Sequence, residues 1–235
     1  MSSELLNPGE SRIHDAIEGL YAAFSDAKRP SHLDMSPVQE PNDFSGLMQT
    51  PLHELTAEQL WHYSFSVFLT VGDIPDFEYF FPRIIELATD PSAFLHPLEI
   101  CVVFQKPSYT GWPDAWRKDR RQAFQSYLDA VTASWASVVW LEINDWVCAL
   151  SFCLDDLDLR LEILLSGTDA ANQNLICFYQ ANHEKLAKHR LANAFWDRSS
   201  PAHARVVTWL ERADVQQRIQ QLYDAGVSSE RFESL

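Results

Sequence analysis

At 235 residues, with 46% hydrophobic and 12% aromatic residues, the chain is long enough to bury a sizeable core and too apolar to be a disordered polypeptide. Only 7 glycines argue against hairpin-rich sheets and phosphate-cradling loops, and no Walker, dinucleotide-binding, nucleophile-elbow or H-E-x-x-H motif is present. A net charge of −15, from 33 acids and 18 bases, repels nucleic acid and anionic lipid and attracts basic partners.

Apolar residues at Ile13, Ala16, Ile17, Leu20, Ala23 and Phe24 draw one helical stripe and predict a first helix over Glu10 to Ala27, ended by Lys28-Arg29-Pro30. Ser31 to Asn42 holds two prolines, with Pro30 just before them, and reads as a loop. Thr56-Ala57-Glu58-Gln59 has the capping-box pattern and opens a second helix, apolar on most sides and therefore expected at the centre. Gly72-Asp73-Ile74-Pro75 breaks that helix. A third is expected over Asp76 to Ala88, with Pro82 as a kink or restart. Leu95 to Phe104 suits a buried strand or a helix, and helix is preferred because a lone strand has nothing to pair with.

Lys106 to Thr110 reads as a loop, after which Trp112-Pro113-Asp114 opens a long helix to Val139. Helices over Ile143 to Cys153, Leu157 to Leu165, Ala170 to Phe195, Ala202 to Glu211 and Val215 to Ala225 complete the chain. About nine helices with short links predict an all-α fold, an antiparallel bundle or an irregular helical array. One domain over 1–235 is expected. The alternative is two lobes, 1–105 and 106–235, because charge and pattern both change near 106–111.

The acidity is uneven. Residues before 106 hold 16 acids and 4 bases, and from Pro30 to Pro82 there are eight acids and no Lys or Arg. Two dense points, Asp73, Asp76 and Glu78, then Asp155, Asp156 and Asp158, are the candidate partner-binding residues. The plainer alternative is a solvated, solubilising surface. For the second point it is also an acidic complement to the dipole of a helix starting near Leu157.

No catalytic residue is assigned. No metal or other cofactor is expected either. Asp155, Asp156 and Asp158 lack the glycine and distant glutamate of a calcium loop. His183 and His189 are six apart and share no helix face, and His53, Glu54 and His62 straddle a loop and a helix. Cys101, Cys148, Cys153 and Cys177 lie in apolar runs, as buried reduced thiols do. Tyr79, Phe80 and Phe81, and Trp135, Trp140 and Trp146, read as core, since no basic groove flanks them for nucleic-acid stacking. With no secretory leader at Met1-Ser2-Ser3-Glu4 and no membrane-length apolar run, the cytoplasm is the expected compartment.

Thr50-Pro51-Leu52-His53-Glu54-Leu55-Thr56, then Gly72-Asp73, then Asp76 to Leu87 with Tyr79, Phe80, Pro82, Arg83, Ile84 and Glu86, resembles the pattern T-P-L-x-E-L-T … G-D-x-x-D-F-x-Y-F-x-P-R-I-x-E-L of an uncharacterised family of bacterial helical proteins. Arg190 to Trp196 is similar to a second stretch of that family. Many of its members place a cysteine cluster after the first helix, and Ser31-His32-Leu33-Asp34-Met35 has none. In size and acidity the chain also resembles immunity proteins encoded beside type VI secretion effectors, in particular those against restriction-endonuclease-like (Tox-REase-5) nucleases. That resemblance implies a non-enzymatic immunity protein whose acidic surface neutralises a basic protein partner, a cognate nuclease toxin, with no direct nucleic-acid or membrane binding. The alternatives are a structural or regulatory interaction scaffold, and an enzyme whose site only the fold assembles.

Overall fold

The apolar stripes fold into helices throughout the computed structural model, which describes residues 7–37, 44, 46–90, 99–140 and 142–227. Among these residues there are ten α-helices: α1 (Pro8–Ala23), α2 (Ala57–Ser66), α3 (Ile74–Thr89), α4 (Ile100–Tyr109), α5 (Lys118–Ser134), α6 (Ile143–Leu150), α7 (Leu157–Arg160), α8 (Asp169–Leu186), α9 (Pro201–Glu211) and α10 (Ala213–Asp224). Short 3-10 turns form at Leu52–Glu54 and Leu161–Leu165. The described residues contain no strand, only isolated bridges joining Val71 to Met35 and to Val67. The fold is all-α, as the periodicity predicts.

The chain divides into two compact units, Asp15–Tyr127 and Met1–His14 with Leu128–Leu235. Residues 106–111 lie inside the first of these.

In the Asp15–Tyr127 unit, α2, α3 and α4 pack on one another. Helix α3 is the anchor, burying Phe77, Phe80, Phe81, Ile84, Ile85 and Leu87. Each such side chain contributes about 1.5–3 kcal/mol when fully buried. Helix α2 is one-sided rather than central: Leu60, Tyr63 and Ser64 are buried, while Trp61 is exposed and leans on Phe65, ring centroids 5.0 Å apart. Pro82 interrupts neither the run nor its burial; α3 continues through it.

The expected loop at Lys106 to Thr110 is instead the last turn of α4. Pro107 stands in that last turn, and its carbonyl accepts the N–H groups of Thr110 (3.0 Å) and Trp112 (3.1 Å), closing the helix end. Residues 95–98 of the ambiguous segment, and 38–42 of the proline-rich one, lie outside the described residues; Ile100 onward is helix. The long helix starts at Lys118, six residues later than expected. Trp112 and Trp116 pack against each other (4.9 Å) and each against Phe124, so tertiary aromatic packing, and not helix propensity, sets residues 112–117.

In the other unit, α8 packs on α6, α9, α10 and the 3-10 turn, and α7 on α9. Asn174 of α8 is fully buried and satisfied. Its amide donates to the carbonyls of Trp135 (2.9 Å) and Val138 (2.8 Å) and accepts the Trp140 N–H (2.8 Å), which ends α5 at Ser134 instead of Val139. Helix α8 stops at Leu186, not Phe195. Buried Asn182 accepts the Ala192 N–H (2.8 Å), and Asn193 donates to Asp145 (2.7 Å), pinning 187–196 as irregular chain. No helix among the described residues is long and apolar enough to cross a membrane.

Candidate functional site

The acidic residues at the start of α3 owe their placement to helix capping. Asp73 is the N-cap: its Oδ1 accepts the Asp76 N–H (3.1 Å), and Asp76 Oδ2 accepts the Asp73 N–H (3.2 Å). This is a reciprocal box with a short acid in the usual Glu position, and Pro75 sits in the first turn, where a missing N–H is harmless. Asp34 joins them, since its carbonyl accepts the Gly72 N–H (2.8 Å) beside the Met35–Val71 bridge. His32 lies 3.5 Å from the Asp34 carboxylate, and both side chains are exposed.

No Lys or Arg of the described residues pairs with Asp34, Asp73 or Asp76. Partial burial pushes the Asp76 carboxyl up to about 6; the negative charge of Asp73 adds to this, and the Asp73 N–H works against it. Beneath them the Tyr63 side chain is completely buried and its hydroxyl has no hydrogen-bond partner. A Cβ at Gly72 would stand 3.2 Å from Asp76 Oδ2 and 3.5 Å from the Tyr63 hydroxyl. Burial, then Asp76 and Asp73, raise the Tyr63 phenol well above its ordinary value.

Sequence reasoning missed the apolar part of this surface. Between α2 and α3 the chain turns tightly: the Ser66 carbonyl accepts the N–H groups of Leu69, Thr70 and Val71, and Phe68 sits at φ +67°. That left-handed conformation is rare for a bulky residue and costs roughly 1–3 kcal/mol. It is held by the Ser36 N–H to Thr70 carbonyl bond (2.8 Å) and by Phe68 packing on Phe77 (5.1 Å) and Tyr109 (6.0 Å). The turn and residues 34–36 enclose an open hollow of about 250 Å³. Leu69 stands at its edge with 66% of its surface exposed, and Met35 and Tyr109 are exposed as well. The only signal in the sequence is an apolar run, Phe65 to Val71, that continues past the end of α2.

The remaining candidate acids are engaged elsewhere. Glu78 pairs with Arg120, a nearly buried guanidinium lying 4.7 Å over the Phe24 ring and bonded also to Asp26 (2.8 Å). Asp156 binds Arg160 (2.8 Å) and Asp158 binds Arg205 (3.1 Å), while the Asp155 carbonyl accepts from Arg205 (2.6 Å). Asp156 stands at the N-cap position of α7, yet its side chain caps nothing. A second hollow, of about 250 Å³, is lined by Asp158, Leu159 and Glu162 opposite Arg205 and Arg212, so its charges balance. Of the six proposed residues, Asp73 and Asp76 come together at an uncompensated surface, Glu78, Asp156 and Asp158 are neutralised by arginines, and Asp155 meets Arg205 only through its backbone carbonyl.

Neither hollow is lined by a histidine or cysteine, and among the described residues no three His, Cys, Asp or Glu side chains converge as a metal requires. None of the four cysteines forms a disulfide; Cys101 and Cys148 are buried, whereas Cys153 and Cys177 are only half-buried, with burial raising the thiol pKa of both. The motif residues that carry the family resemblance form a structural network. Arg83 donates to the Leu55 carbonyl (2.8 Å) and to Glu86 (2.6 Å), which also accepts from the Tyr21 hydroxyl. Tyr21 in turn stacks on His53 at 4.3 Å. No known protein family, curated protein or solved structure matches the chain.

Proposed function

We propose that this chain is a non-enzymatic binding protein of the cytoplasm, an immunity protein that neutralises a basic toxin through the surface at the start of α3. The observation that carries the reading is the unbalanced charge of Asp34, Asp73 and Asp76, set in a stretch with no Lys or Arg from Pro30 to Pro82. Three of the other candidate acids, Asp156, Asp158 and Glu78, meet arginines instead. A toxin that cleaves nucleic acid is basic where it grips phosphate, so an acidic, rigid helical surface steers towards it and occludes it. Type VI secretion is the setting suggested by the chain's size and acidity, and nucleic acid and membranes are not its ligands.

The test is affinity capture from the native host with the full chain as bait, followed by expression of each captured protein alone. The reading expects a basic protein that arrests growth alone and is tolerated when this chain is co-expressed. Capture only of acidic or innocuous proteins favours the scaffold reading.

A further inference from the structure

The geometry points to a specific chemistry for the occupant of the hollow between residues 34–36 and 68–72: a protein segment with one large apolar side chain flanked by basic residues. This rests on the binding-protein reading and adds the recognition element to it. Leu69, Met35 and Tyr109 offer exposed apolar surface around Phe68; Asp34 lines the hollow, Asp76 stands beside Gly72 at its end with Asp73 joined to it, and none of the three acids has a Lys or Arg of the described residues as ion-pair partner. An apolar side chain entering beside Leu69 removes surface from water, while flanking ammonium or guanidinium groups meet the acids.

The neighbouring cation does not cancel this charge. Lys106 points inward, donating to the carbonyls of Phe65 (3.0 Å) and Val67 (3.1 Å). The turn is fixed before anything binds, by Ser36 to Thr70 and Gly72 to Asp34 backbone bonds, so little conformational freedom is lost on docking. The hollow is open to solvent, which suits a side chain on a protein surface and not an enclosed small molecule.

The probe is a labelled synthetic peptide with a central phenylalanine between runs of lysine. One control replaces the phenylalanine by serine, and a second replaces the lysines by glutamate. Binding to the full chain is measured by fluorescence anisotropy across a salt series, and its location by amide chemical-shift changes. Leu69→Ser and Asp34→Asn are the variants, because both side chains are exposed and outside the capping box, and circular dichroism verifies their fold. The expected result is shift changes confined to 34–36, 68–76 and Tyr109, and about tenfold weaker binding for Leu69→Ser and for the serine peptide. Asp34→Asn lowers the salt dependence. Equal binding of the phenylalanine and serine peptides, no binding, or shifts at the Arg205–Arg212 hollow overturns the inference. The toxin reading fails separately, on the identity of the captured partner.

Discussion

Asp73 and Asp76 close the first turn of α3 on each other, each carboxylate accepting the other residue's backbone N–H. The same two groups therefore serve the helix and stand on the proposed binding surface. A charge reversal there would damage both, which is why Asp34 and Leu69 are the cleaner probes of binding.

The cap has a pH signature. Asp76 titrates at about 6 in the folded chain against 3.8 for its ordinary value, chiefly through burial. The native state thus holds this proton more tightly than the unfolded one, so its contribution to stability falls as pH rises from about 4 to about 6. Asp76→Asn keeps an acceptor for the Asp73 N–H and has no charge to bury. Its stability relative to the parent, from urea unfolding, is expected to improve over that window and stay level above it. A constant difference at all pH values would contradict the assignment.

Gly72 occupies a left-handed position, φ +64°, pressed against Asp76 and Tyr63. Gly72→Ala is expected to cost about 1–2 kcal/mol from backbone strain alone, with the contact to Asp76 Oδ2 adding to it. Thermal unfolding measures this. A neutral substitution would mean that the turn between α2 and α3 is not held as described.

Lys106 caps the C-terminal end of α2 from inside the fold, an ammonium among apolar neighbours whose burial lowers its pKa to about 8. Lys106→Met leaves two buried carbonyls short of a donor and is expected to destabilise by about 1–3 kcal/mol at neutral pH. The folded chain releases this proton before the unfolded one does. Between about 8 and 10.5 the wild type therefore gains stability with pH, a slope absent from the variant. Parallel pH profiles for the two proteins would mean that Lys106 keeps its ordinary pKa in the native state, and would contradict the burial described.

Local signals in the sequence were readable where local contacts decide the outcome. The Thr56–Gln59 capping box forms as its spacing predicts, and the stripe of Ile13, Ile17, Leu20 and Phe24 is buried. Boundaries failed where a distant side chain intervenes: Asn174 stops α5, Asn182 holds the chain after α8, and Trp112 and Trp116 fold into aromatic packing. The candidate surface divided in the same way. Clustered acids at 73–76 are visible in a linear chain. That Arg120 and Arg205 cancel Glu78 and Asp158 is visible only in three dimensions, because each arginine is more than forty positions from the acid it meets; the Arg160–Asp156 pair, four positions apart, is a local one. The left-handed Phe68 and the exposed Leu69 arise from a turn that no composition rule announces.

Growth rescue by surface variants puts the proposed function to its plainest test. Cells expressing the captured basic partner are grown with wild-type chain, or with the Leu69→Ser/Asp34→Asn double variant at equal, folded levels. Because exposed charges are screened beyond about 8 Å at physiological ionic strength, the apolar contact and the local acid act together in this setting. Rescue by the wild type and its loss with the double variant is the expected outcome. Full rescue by the variant, with the partner still bound, would place the working surface elsewhere on the molecule and contradict the assignment made here.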